Sequence, residues 1–77
     1  MNDNMVAFIG AGNMTRCIIA GMIKNGYPAE NIIAANPSKA KLDALAADFG
    51  IQITQDNIVA VQQADVIVLA VKPQLMA

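Results

Sequence analysis

The chain has 77 residues, 56% of them hydrophobic, and a formal charge of −1 from five basic and six acidic side chains. That length holds one domain at most, and one that is marginal alone because it buries only about 60% of its unfolded surface. The scattered charges make no basic stripe for nucleic acid; one cysteine and no histidine leave neither an internal disulfide nor a Cys/His metal cluster; and no apolar run approaches the roughly 20 residues of a membrane span.

A mean hydropathy of +0.45 is high for a free-standing domain of this size. The polar N-terminus carries no basic segment followed by an apolar one, so no signal peptide is readable. With a lone Cys17, this fits a reducing compartment, the cytoplasm.

Met5 to Ile9 reads as a short strand buried on both faces. A helix follows from about Asn13 to Asn25. Its apolar face is Met14, Cys17, Ile18, Gly21 and Met22, with Arg16 and Lys24 directed elsewhere. On that face Cys17 reads as core rather than nucleophile. Gly26 suits the left-handed position that stops a helix. After a loop over 27–31, Ile32 to Ala35 forms the second strand. Asn36 as N-cap and Pro37 in the first helical position open a helix to about Phe49. Leu42, Leu45, Ala46 and Phe49 make its buried stripe, and Gly50 ends it.

Ile51 to Thr54 is a weak third strand. Asp56 or Asn57 caps a third helix that turns Ile58 and Val61 inward and ends at Ala64-Asp65. "VIVLAV", residues 66–71, is the strongest strand signal in the chain. Lys72-Pro73-Gln74 closes it, and Pro73 suits the start of another helix.

This βαβαβαβ pattern predicts an α/β fold: a Rossmann-like doubly wound parallel sheet of order 3-2-1-4. In that order the apolar fourth strand lies at an edge, which natural proteins avoid. The expectation is a truncated sheet, residues 1–77 being the N-terminal part of a longer protein.

"FIGAGNMT", residues 8–15, holds the first two glycines of a G-x-G-x-x-G pattern, with Thr15 in the third place. Gly10 permits a sharp exit from the strand, and Gly12 lets a pyrophosphate approach the backbone. The N–H groups of Asn13 and Met14 and the helix dipole favour an anion there. The alternative is a plain strand–turn–helix corner. The third place asks for a small residue so that helix and strand pack closely, and Gly21 is expected to relieve the crowding by Thr15.

The end of the second strand selects the nucleotide. NAD-binding chains place Asp or Glu there; this chain has Asn36, then Pro37 and Ser38, with Lys39 and Lys41 nearby. That reads as a site for a 2′-phosphate, hence NADP, although Asn-Pro-Ser is also a good helix start without a ligand. Asn57 reaches an adenosine ribose or caps its helix. Ala70 and Val71, at the carboxyl end of the fourth strand, suit the nicotinamide side. Lys72 faces a substrate or solvates the strand end. No nucleophile–base pair is present, so a self-contained hydrolase is excluded, and no catalytic residue can be named.

Three stretches together, "FIGAGNM" at 8–14, "AANPS" at 34–38 and "ADVIVLAVKPQ" at 64–74, resemble the N-terminal domain of the pyrroline-5-carboxylate reductases. The resemblance covers essentially the whole chain. It implies NAD(P)H-dependent reduction of the cyclic imine 1-pyrroline-5-carboxylate to L-proline. It also implies cofactor contacts by Ile9, Gly10, Ala11, Gly12, Asn13 and Met14, by Ser38 and Asn57, and by Ala70, Val71, Lys72 and Pro73. In that family a helical C-terminal domain, outside these residues, builds the dimer and much of the substrate pocket. Thr15 departs from the family, which more often has Ala or Gly there. Two other readings are the nucleotide domain of a 3-hydroxyacid dehydrogenase-like NADP oxidoreductase, and a non-catalytic nucleotide-sensing domain; the latter often keeps an acid where Asn36 stands.

Overall fold

The computed structural model describes residues 4–10 and 12–69. The expectations for Ala11, Ala70, Val71, Lys72 and Pro73 lie outside the described residues. The elements are β1 (Val6–Ile9), α1 (Asn13–Lys24), a 3₁₀ turn (Ala29–Asn31), β2 (Ile32–Ala35), α2 (Lys39–Phe49), β3 (Gln52–Thr54), α3 (Asn57–Gln63) and β4 (Val66–Leu69). The four strands form one sheet in the order β3-β2-β1-β4, every pair parallel. This is the expected Rossmann-like order, with β1 central.

Alternation along the strands divides the core in two. Val6 and Phe8 of β1, with Ile32 and Ala34 of β2, face Ile19 of α1 and Leu42 and Leu45 of α2. Ala7, Ile33 and Ala35 face Ala60 of α3 on the other side. Helices therefore cover both faces, which explains why β1 and β2 are apolar without alternation. Phe8, fully buried in the larger core, contributes about 1.5–3 kcal/mol by leaving water.

The buried stripe of α1 is not the one expected. Thr15 and Ile19 are buried, and Met22 and Ile23 pack against the core. Met14, Cys17 and Ile18 are exposed, so Cys17 is no core residue. Positions 15, 19, 22 and 23 also follow helical spacing, one residue out of phase with the expected set. The phase is set where the chain enters the helix after Gly12, and a count of apolar residues passes over a threonine.

The helix ends in a Schellman motif. Gly26 (φ 96°) donates its N–H to the Ile23 carbonyl, and Tyr27 donates to Met22, both at 2.9 Å. Gly50 closes α2 with φ 72°. The start of α2 differs from expectation: Ser38, not Asn36, is the N-cap, and the helix begins at Lys39. The Asn36 N–H donates to the Thr54 carbonyl at 3.2 Å. It thereby prolongs the sheet ladder beyond β2 and holds the residue out of the helix.

In α3 the Asp56 carboxylate accepts from the Ile58 N–H at 2.9 Å, so Asp56 is the cap and Asn57 the first helical residue. Ile58 and Val61 do not turn inward; both are exposed, and Ala60 is the buried residue. The partners of Ala60 in this smaller core are mainly alanines, Ala7 and Ala35. β4 stands at the edge, with Val66, Ile67 and Leu69 exposed and Val68 packed on the core. The apolar edge expected from the sequence is present.

Candidate functional site

In a parallel sheet the carboxyl ends of all strands lie along one edge. Three turns meet there: the glycine turn after β1, the 36–38 segment after β2, and Gln55-Asp56 after β3.

Gly10 has φ 116°, a conformation that side chains rarely adopt. Its N–H donates to the Ala35 carbonyl at 2.8 Å, tying the turn to the neighbouring strand. Gly12 is the N-cap of α1, with φ −88° and no side-chain cap. A Cβ built there would meet nothing within 4 Å. Among the described residues, neither conformation nor packing requires glycine at Gly12, and they leave the space beside it open. The N–H groups of Asn13 and Met14 open the helix without intrahelical acceptors, and the first turn contains no acidic residue. Backbone donors, a positive helix end and an open approach suit a phosphate.

Thr15 closes the turn from beneath. It has no exposed surface, and its hydroxyl donates to the Gly10 carbonyl at 3.0 Å. It therefore binds helix to strand rather than crowding them. The expected relief by Gly21 is not needed, since a Cβ on Gly21 would also meet nothing within 4 Å. What the third position uses is the hydroxyl of Thr15, placed near a strand-end carbonyl, and not its volume.

At the next turn, Asn36 is half-buried and Ser38 makes no side-chain cap bond. The Lys39 ammonium pairs with Asp43 one helical turn on, at 3.2 Å, with both side chains exposed. Lys41 is exposed. Gln55 donates its side-chain N–H to the Pro37 carbonyl at 2.9 Å, joining the second and third turns. Pro37, Gln55, Asp56 and Asn57 line an open depression between them. Ile9, Gly10, Gly12, Asn13, Met14, Asn36, Ser38, Lys39 and Asn57 thus all lie along the carboxyl edge.

Comparison with known proteins agrees with this arrangement. The chain is 57% identical to a pyrroline-5-carboxylate reductase of Vibrio alginolyticus over all 77 residues. It is 44% identical to the enzyme of that name from Haemophilus influenzae, again over the whole chain. It spans 28% of the length of each. A solved pyrroline-5-carboxylate reductase from Coxiella burnetii superposes with a TM-score of 0.89 at 47% identity, covering 94% of this chain and 27% of that one. The family described as "NADP oxidoreductase coenzyme F420-dependent" matches residues 5–77. With a central-strand glycine turn on a 3-2-1-4 parallel sheet, the chain belongs to that family.

Proposed function

We propose that the chain is the coenzyme-binding part of a reductase that converts 1-pyrroline-5-carboxylate to L-proline, using NADPH in preference to NADH. The observation that carries the coenzyme reading is the open space at Gly12, beside a helix start with no side-chain cap and no first-turn carboxylate. The substrate reading follows the relatives that bear that enzyme's name at 57% and 44% identity. Those names favour it over a hydroxyacid dehydrogenase or a nucleotide sensor.

When bound, the coenzyme would supply a hydride from nicotinamide C4 to the C=N carbon, and the imine nitrogen would take one proton from water to become the amine. The chain's own part is binding and orientation. Ile9, Gly10, Ala11 and Gly12 shape the turn, and the Asn13 and Met14 N–H groups hold the pyrophosphate. Ser38, the N–H groups that open α2 and Lys39 take the 2′-phosphate, with Asn36 offering no carboxylate to repel it. Asn57 serves the adenosine ribose; Ala70, Val71, Lys72 and Pro73 serve the nicotinamide side. The protein works in the cytoplasm as a homo-oligomer, assembled through a helical domain beyond these 77 residues.

Titrating the chain with NADPH and NADH, followed by nicotinamide fluorescence, tests the coenzyme reading. Tighter NADPH binding is expected; equal or tighter NADH binding overturns the preference. The reaction is tested by assaying the product of the full reading frame on 1-pyrroline-5-carboxylate with NADPH, where failure to form proline refutes the substrate. The 77 residues alone are expected to form none.

A further inference from the structure

We propose that Gln55 is a positioning residue that sets the preference for a 2′-phosphorylated nucleotide. The inference rests on the coenzyme reading above and goes beyond it to a residue that the glycine and Asn-Pro-Ser motifs do not include.

The 36–38 segment must present the Ser38 hydroxyl and the opening N–H groups of α2 at a fixed distance from the ribose. Pro37, at its centre, has no N–H with which to anchor itself. Two bonds hold the segment to the end of β3. One is the backbone bond from the Asn36 N–H to the Thr54 carbonyl at 3.2 Å. The other is the bond from the Gln55 side-chain N–H to the Pro37 carbonyl at 2.9 Å, between residues 18 apart in sequence. Only the second depends on a side chain.

The chemistry of this side chain also bears on selectivity. Gln55 is a neutral donor lining the depression beside Pro37 and Asn57. The one carboxylate in that lining, Asp56, is engaged with the N–H of Ile58. A glutamate at 55 would have the same reach, but it would face the Pro37 carbonyl with an acceptor and bring a second negative charge toward a 2′-phosphate. A neutral, donating residue is therefore what this position needs if the loop is to take a dianion.

The test uses the whole chain and two probes that carry only the adenosine half of the coenzyme: 2′,5′-ADP, which has the 2′-phosphate, and 5′-AMP, which lacks it. Affinities are measured by calorimetry for the unsubstituted chain, Gln55→Met and Gln55→Glu. Gln55 is exposed, and circular dichroism checks that both variants retain the fold. Gln55→Met keeps the shape and removes the donor. It should weaken 2′,5′-ADP about three- to tenfold, the range of one hydrogen bond, and leave 5′-AMP unchanged. Gln55→Glu should weaken 2′,5′-ADP further, with a steeper salt dependence. A general loss of structure would lower both probes together, which would overturn the assignment. So would undiminished 2′,5′-ADP preference in both variants when the unsubstituted chain shows that preference. If the unsubstituted chain binds the two probes equally, the preference for a 2′-phosphorylated coenzyme falls and this inference with it.

Discussion

The hydroxyl of Thr15 donates to the carbonyl of Gly10 at 3.0 Å from a side chain with no exposed surface. Gly10 is thus held on both sides, since its N–H is bonded to Ala35 across the sheet. The bond spans the glycine turn from helix to strand and fixes the angle at which α1 leaves β1. Replacing Thr15 by Val keeps the shape and removes the donor. Thr15→Val is expected to cost about 1–3 kcal/mol, because a buried carbonyl loses its partner. Thr15→Ser, which keeps the hydroxyl and loses one methyl, should cost about half as much or less. Urea denaturation of the two variants checks the order; equal losses would mean that the methyl, not the hydroxyl, matters.

The two glycines of the turn should separate stability from binding. Gly10→Ala forces a side chain into φ 116° and is expected to cost about 1–3 kcal/mol of stability. Gly12→Ala has an ordinary φ of −88° and open space around the new methyl, so its unfolding midpoint should hardly move. On the coenzyme reading that methyl occupies the pyrophosphate's approach, and NADPH affinity should fall about tenfold or more, equivalent to about 1.4 kcal/mol. Thermal unfolding and fluorescence titration of the same samples check both halves. A Gly12→Ala chain that binds NADPH normally would refute the phosphate role of the turn.

The contrast between these glycines shows what the sequence could reveal. Strand order, the central position of β1 and the location of the turns were legible, because uninterrupted apolar runs and glycine punctuation report burial and chain reversal directly. Helix phase was legible in α2, where Leu42 and Leu45 are buried and Phe49 packs on the core, but not in α1. Met14, Cys17 and Ile18 looked like a core stripe, but their phase depends on where Gly12 releases the chain, and the true stripe begins with a polar residue. The start of α2 was misplaced for a related reason. Asn36 has the chemistry of a cap, yet its N–H is taken by Thr54, a partner 18 residues away. Gln55 was invisible for the same reason: its role exists only once β2 and β3 are adjacent. Local signals locate elements, whereas phase and anchoring are properties of the assembled sheet.

Arg16 links α1 to α2. Its guanidinium lies 2.6 Å from the Asp48 carboxylate, with the side chains 40% and 50% exposed, and 5.4 Å over the Phe49 ring. At that exposure the ion pair contributes about 0.2–1 kcal/mol, and stacking on the ring adds about 0.5–1 kcal/mol. Asp48→Asn should therefore cost less than Arg16→Ala, and its effect should fade at high salt. Arg16→Lys should behave nearly as badly as Arg16→Ala, since an ammonium loses the planar fork and the stacking. Denaturant midpoints at low and high ionic strength decide; a salt-sensitive Arg16→Lys equal to the unsubstituted chain would assign the contact to charge alone.

The edge strand β4 makes the last prediction. Val66 and Ile67 are each 44% exposed and Leu69 is 72% exposed, on a strand whose other side pairs in register with β1 from Val6↔Val66 to Ile9↔Leu69. Such an apolar edge offers unpaired backbone groups to another strand. Chains of these 77 residues should therefore associate as their concentration rises, which light scattering behind size exclusion will register. Leu69→Lys places a charge where the side chain is already mostly in water, so it should suppress association and leave the unfolding midpoint within about 0.5 kcal/mol of the original. Ala60→Leu is the control. It disturbs the smaller core, separate from the one on which Val68 of β4 packs, where Ala7, Ala35 and Ala60 are fully buried, and overpacking there should cost about 1–3 kcal/mol without relieving association. A Leu69→Lys chain that associates as before would remove the edge from the account and shift attention to the exposed apolar residues of α1 and α3.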